Sequence, residues 1–147
     1  MEEEYSKIKL IYASDIMSEN VVVIKESMLI GQVAHLMLRE RVSAYPVVDE
    51  NENLVGIVTL TDLYALLEKL FRGTDGTLSD RIANVKKLPV KDLMTRKVKS
   101  VTPDTSLDKI IKDVVELRIH SFPVMEQKRL VGIIGRHDLL NAAFVYA

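Results

Sequence analysis

Residues 56–63 read GIVTLTDL and residues 132–139 read GIIGRHDL. A glycine, two aliphatic residues and an Asp-Leu pair recur half a chain apart, with only the middle three positions rewritten. Working outward, Asp15 and Met17 return as Asp92 and Met94, Val21 as Val98, Arg41 as Arg118, and Pro46-Val47 as Pro123-Val124, all at an offset of 77. Past the polar stretch DENEN the offset falls to 76: Leu54-Val55-Gly56-Ile57 return as Leu130-Val131-Gly132-Ile133, and Asp62-Leu63 as Asp138-Leu139. One residue has been lost in a turn. Self-similarity at this scale means two copies of one supersecondary unit.

Each copy carries the same order of signals. Val21 to Ile24 and Val98 to Val101 predict short strands. Ser27 and Thr105 are expected helix caps, the second with Asp108 three residues on. Leu107, Ile110, Ile111, Val114 and Val115 fall at helical spacing and predict one apolar face. An apolar run (YPVVD or FPVM), a polar turn (ENEN or EQKR) and a second run (LVGIVTL or LVGIIG) predict a hairpin. The Asp-Leu pair then opens a last helix, LYALLEKLF or LLNAAFVYA. Each unit is β-α-β-β-α, so the fold class is α/β (α+β). The boundaries are repeat 1 over 10–72, a connector over 73–88 and repeat 2 over 89–147. One unit buries too little alone, so the pair is expected to pack sheet to sheet about a pseudo-twofold axis.

Composition bounds the function. Of 147 residues 48% are hydrophobic and 28% charged, and 20 Lys+Arg against 21 Asp+Glu leave a formal charge of −1. That balance argues against a nucleic-acid or membrane-surface partner. The basic run KKLPVKDLMTRKVK has few aromatics and reads as a solvated linker, with Arg96 and Lys91 or Lys97 facing a phosphate. There is no cysteine, hence no disulfide, thiolate metal site or cysteine nucleophile. The acidic start MEEEYSKIK lacks signal-peptide character, and no run approaches the roughly 18 apolar residues of a span. A cytoplasmic protein is expected. His35, His120 and His137 show no metal-ligand spacing, and no GxSxG, Walker loop or GxGxxG is present, so an enzyme is not expected.

With "Y/F-P-V" before the hairpin and "L-V-G-I-(I/V)-x-x-x-D-L" after it, in two copies in register over about residues 10 to 147, the chain resembles a tandem pair of CBS domains, the Bateman module. That resemblance implies a regulatory module that binds adenosine compounds (AMP, ADP, ATP or S-adenosylmethionine) in two clefts and acts on a partner protein. It also implies a disc-like homodimer through the final helices. The family's Asp accepts ribose hydroxyls, and a Ser/Thr three residues earlier helps hold phosphate. A carboxylate suits a vicinal diol through charge-assisted bonds, and a helix N-terminus suits phosphate.

Carried over residue by residue, the resemblance implies that cleft one takes Thr59, Thr61 and Asp62 from the first repeat with Arg96, Ile119 and His120 from the second. Cleft two takes Arg136, His137 and Asp138 with Ile16, Met17, Val42 and Ser43. The clefts differ. Gly135 stands where Thr59 does, and Glu19 and Ser43 match Arg96 and His120. Losing a phosphate-binding hydrogen bond costs about 1 kcal/mol, up to about 3 for a charged acceptor. Cleft one is expected to prefer nucleotides, with Arg136 and His137 as compensating cations in cleft two.

Structural readings stand beside these. An acid near a helix start is favoured by the macrodipole alone, and Thr59 and Thr61 also read as a strand-end residue and an ordinary N-cap. Gly56 and Gly132 either relieve close backbone packing or admit a ligand. His35 reads as structural or interfacial. The competing function is a ligand-independent dimerisation module built on the apolar final helices.

Overall fold

Pro46 and Pro123 lack an N–H, yet each lies inside a hairpin strand. Pro46 pairs with Ile57 and Pro123 with Ile133, and the backbone groups of those isoleucines turn away from the hairpin. Ile57 exchanges bonds of 2.9 Å with Thr95, and Ile133 exchanges bonds of 2.9 and 3.0 Å with Ser18. A proline is tolerated where the ladder does not call on its missing donor. The same arrangement brings a distant segment to the outer edge of each hairpin.

The structure is a computed structural model that describes residues 11–146, and the Tyr146 side chain is not described. The acidic start MEEEYSKIK, the expected boundary at residue 10 and the last residue of LLNAAFVYA lie outside the described residues.

In chain order the elements are α1 (Ala13–Ile16), β1 (Ile24–Lys25), α2 (Ile30–Glu40), β2 (Ala44–Val48), β3 (Leu54–Thr59), α3 (Leu60–Arg72), α4 (Leu78–Val85), a 3-10 turn (Val90–Asp92), α5 (Leu107–Leu117), β4 (Ser121–Glu126), β5 (Arg129–Gly135) and α6 (Arg136–Asn141), which runs into a π-helical turn, Ala142–Tyr146. Strands β1, β2 and β3 form one sheet, with β1 parallel to β2 and β3 antiparallel. Strands β4 and β5 form a second, two-stranded sheet.

The described residues form two compact units, one of Val22–Lys97 and one of the described residues on either side of it. They are out of step with the sequence repeat. Ser18, from the opening of the first copy, pairs with Ile133 of the second, and Thr95, from the opening of the second copy, pairs with Ile57 of the first. One core gathers Ile24, Val33, Met37, Tyr45, Val47, Val58, Val90 and Met94. The other gathers Ala13, Val101, Leu107, Ile110, Phe122, Val124, Ile134, Leu139 and Ala142.

Several local expectations move. The strand predicted at 21–24 is confined to Ile24–Lys25, and that at 98–101 contracts to a single parallel bridge from Val101 to Val124. Ser27 does not cap α2; Leu29 does, its N–H bonded by Gln32 Oε1 at 3.1 Å. Thr105 does not cap α5, because its hydroxyl accepts the Thr102 N–H at 3.0 Å in the preceding turn, and Ser106 takes the cap position. The connector contains α4, whose start is a T-x-x-D box: Thr77 N–H donates to Asp80 Oδ2 at 3.2 Å and Asp80 N–H to Thr77 Oγ1 at 3.1 Å. On α5 the apolar stripe is rotated. Val115 is 73% exposed, whereas Asp113 is 4% exposed. Lys109 at 2.8 Å and Lys99 at 3.9 Å neutralise the buried carboxylate.

Candidate functional site

Strand β3 ends where α3 begins, and the residues at that junction hold each other. Thr59 is the N-cap of α3. Its N–H donates to Asp62 Oδ2 at 2.8 Å and its hydroxyl reaches the same oxygen at 3.2 Å, while Asp62 N–H donates to Thr59 Oγ1 at 3.2 Å. This is a capping box. It corrects two expectations: Asp62 is the third residue of the helix and does not open it, and Thr59 rather than Thr61 is the cap; Thr61 lies exposed in the first turn. Asp62 is half-buried. The positive end of the α3 dipole lies beside it, a setting that favours anions, although the Asp62 N–H is taken by Thr59 Oγ1 and the Leu60 N–H by the Ser43 carbonyl.

Two further groups reach this junction in the Val22–Lys97 unit. Leu60 N–H donates to the Ser43 carbonyl at 3.0 Å, so Val42 and Ser43, both half-buried, flank the start of α3. Thr95 hydroxyl donates to Asp62 Oδ1 at 3.1 Å. Thr95 was not among the residues singled out from sequence. The available signal was the hydroxyl after methionine in both copies, Thr95 after Met94 and Ser18 after Met17. Arg96 belongs to the same unit and is exposed, its Nη2 donating to the Lys91 carbonyl at 3.1 Å.

The other unit builds a related junction from β5 and α6. Gly135 N–H donates to Asp138 Oδ2 at 2.7 Å, but glycine has no hydroxyl to return the bond. Asp138 is half-buried, and Arg136 and His137 are exposed. Ser121 pairs with Gly135, which places His120 next to a residue bordering this junction. His120 is exposed and Ile119 half-buried against the core. Ile16 and Met17 also pack on that core.

Of the cleft-one set, Thr59, Thr61, Asp62 and Arg96 are in one unit, and Ile119 and His120 in the other. Of the cleft-two set, Ile16, Met17, Arg136, His137 and Asp138 share a unit, and Val42 and Ser43 belong to the other.

The glycines of the opening motif have a packing role. A Cβ on Gly56 would meet Met94 Sδ at 2.6 Å and the Thr95 carbonyl at 2.9 Å; one on Gly132 would meet Met17 Sδ at 2.5 Å. Beside the helices, an apolar groove of about 400 Å³ runs among α2, α3 and α4, with Leu38, Leu63, Tyr64, Leu67, Ile82 and Val85 on its walls. His35 is exposed and also lines it. Among the described residues no group of three or more His, Asp or Glu is placed to hold a metal ion.

The CBS domain family profile matches residues 13–69 and 90–144, most of the chain and in two copies. The chain belongs to the CBS domain family. Its curated CBS relatives include a homoserine O-acetyltransferase of Methanococcoides burtonii, 32% identical over 127 residues that make up 86% of this chain and 23% of that protein. They also include the chloroplastic CBS domain-containing protein CBSX2 of Arabidopsis thaliana, 29% identical over 85% of this chain and 59% of that one. The chain spans about a quarter of the length of the first curated relatives it matches; those enzymes are larger proteins that carry a CBS region, and the two CBS matches take up most of this chain. Among solved structures, CBSX2 in complex with AMP is 28% identical with a TM-score of 0.73, covering 90% of this chain and 95% of that one. The CBS domain of a membrane protein from Sphaerobacter thermophilus is 29% identical with a TM-score of 0.73, covering 95% of this chain and 92% of that one. No helix among the described residues is long and apolar enough to cross a membrane.

Proposed function

We propose that this CBS pair is a regulatory module that binds an adenosine nucleotide of the AMP, ADP or ATP type, or S-adenosylmethionine, and acts on a partner protein. One observation carries the reading: Asp62, half-buried at the start of α3, has Thr59, Thr61 and Arg96 in its own compact unit, in a chain related to a CBS protein solved with AMP. Asp62 accepts a ribose hydroxyl, the first turn of α3 and Thr61 receive phosphate, and Arg96 swings from the Lys91 carbonyl to pair with it. Asp138 plays the same part in the second unit, with Arg136 as the cation and His137 and His120 as hydrogen-bond donors. Ile16, Met17 and Ile119 offer apolar surface to a base there, as Val42 does in the first unit, where Ser43 adds a hydroxyl. Regulation requires that the ligand bind two states of the module unequally.

Isothermal titration calorimetry with AMP, ADP, ATP and S-adenosylmethionine tests the reading. Saturable heat with at least one of them is expected. Absence of heat and of any thermal shift with all four at millimolar concentration contradicts it.

A second reading has its own observation. Tyr64 is 70% exposed, Phe71 62% and Phe144 82%, on the last helical segments of the two sequence repeats, and such apolar exposure marks an interaction surface. We infer a homodimer through these helices. Sedimentation or light scattering is expected to give about twice the chain mass at micromolar concentration, and a monomer contradicts it.

A further inference from the structure

The two aspartates are not equally free to receive a sugar. A carboxylate offers about four acceptor positions, two on each oxygen. On Asp62, Oδ2 takes the Thr59 N–H at 2.8 Å and the Thr59 hydroxyl at 3.2 Å, and Oδ1 takes the Thr95 hydroxyl at 3.1 Å. One position is left, on Oδ1. On Asp138, the hydrogen bonds among the described residues amount to Gly135 N–H on Oδ2 at 2.7 Å. Ser18, the counterpart of Thr95, bonds Ile133 through its backbone and does not reach Asp138 among those bonds.

We propose that Thr95 sets the ribose specificity of Asp62: its hydroxyl fills an acceptor position on Oδ1, so Asp62 receives one ribose hydroxyl while Asp138 receives both. Thr95 is a specificity-determining residue that acts through Asp62 and need not touch the ligand. The inference rests on the reading that these aspartates bind ribose. It adds that the two units differ in their demand for an intact 2′,3′-diol, so the Asp62 unit tolerates a nucleotide lacking one of the two hydroxyls and the Asp138 unit does not.

Residue-resolved NMR titration of the full chain tests this, with AMP, 2′-deoxy-AMP and 3′-deoxy-AMP as probes and the Asp62 and Asp138 amides as reporters. At Asp138 both deoxy nucleotides are expected to bind about fivefold more weakly than AMP, the worth of an ordinary hydrogen bond. At Asp62 one of them is expected to bind within about twofold of AMP. Thr95→Val keeps the side-chain shape and removes the donor. In that variant AMP is expected to tighten about fivefold at Asp62, with both deoxy nucleotides now falling behind, while the Asp138 responses stay put. Thr95→Ser is expected to keep the wild-type pattern.

Equal losses with both deoxy nucleotides at Asp62 in the wild type overturn the inference. An unchanged ranking in Thr95→Val, or a response confined to the Asp138 amide, does the same and leaves the nucleotide reading standing. AMP moving neither amide overturns the nucleotide reading, and this inference with it.

Discussion

The sulfur of Met94 occupies the space a side chain on Gly56 would need, with a built Cβ only 2.6 Å from it and 2.9 Å from the Thr95 carbonyl. Gly132 stands to Met17 in the same relation, at 2.5 Å from its sulfur. Each glycine lets a segment from the opening of the other repeat lie against a hairpin. The matched Met and Gly positions are therefore one device, used twice. The two differ in what a new methyl would strike. At Gly132 the nearest atoms all belong to the flexible Met17 side chain, while at Gly56 a backbone carbonyl is among them.

Gly56→Ala is accordingly expected to destabilise the protein by about 1–3 kcal/mol, the usual range for overpacking. Gly132→Ala is expected to cost less, because Met17 can change rotamer. Urea denaturation of the two variants checks the order, and equal or reversed losses contradict it.

Tyr45 and Phe122 occupy equivalent positions, and both side chains are buried. The Tyr45 hydroxyl is buried without a hydrogen-bond partner. Burial raises its pKa above the ordinary tyrosine value, the Glu40 charge adds to the rise, and Arg39 opposes it. An unpaired buried hydroxyl costs about 1–3 kcal/mol, so Tyr45→Phe is expected to stabilise by about 1 kcal/mol. A thermal melt that falls in this variant contradicts the assignment.

Asp49 organises the tight turn of the first hairpin. Asn53 N–H donates to its Oδ1 at 2.9 Å, as does Asn51 N–H at 2.9 Å, and the Asn53 amide reaches Oδ2 at 3.3 Å. Backbone bonding from Asn53 is the main cause that holds this carboxyl below its ordinary value of 3.8. A depressed folded-state pKa contributes stability that is present above the unfolded value and lost as pH falls through the folded one. The Asp49 contribution is thus expected to be fully present above about pH 3.8 and to be lost progressively as the pH falls below it. Asp49→Ala is expected to lower stability at neutral pH and to converge on the wild type in acid. A stability difference that stays constant from pH 7 to pH 2 contradicts this.

Asp62 completes the capping box of α3 by accepting the Thr59 N–H and, in the proposed function, receives ribose. Asp62→Ala is expected to lose about 1 kcal/mol of stability through the cap and about tenfold or more in AMP affinity at that unit, since bonds to a charged group are worth about 1.5–3 kcal/mol. Asp62→Asn keeps an acceptor for the Thr59 N–H and is expected to melt close to the wild type, while still binding AMP more weakly. Calorimetry on both variants separates the two roles. Unchanged affinity in both rejects Asp62 as a ligand.

Much of this is legible in the sequence. The hairpins followed from apolar runs around polar turns, and the family from motifs in register at offsets of 77 and 76. What the sequence hid was long-range. Periodicity carries no information on which hairpin a short segment such as Ser18 or Thr95 will edge, so the exchange of opening segments had to come from the fold. Thr105 was misplaced as a cap because hydroxyls serve turns and helix starts alike, and here the turn claimed it. Asp113 was overlooked because a carboxylate at an inward position violates the apolar pattern, and two lysines compensate for it. At the candidate site the Thr-x-x-Asp spacing is visible in the sequence, but its assignment as cap and third helical residue depends on backbone angles. The Thr95 bond to Asp62 spans 33 residues, beyond any local rule.

A crystal structure of the full chain grown with AMP tests the central claim most directly. Density for a ribose with a hydroxyl within hydrogen-bond distance of the Asp62 or Asp138 carboxylate is the predicted result. AMP bound away from both carboxylates, or no AMP at saturating concentration, would contradict it.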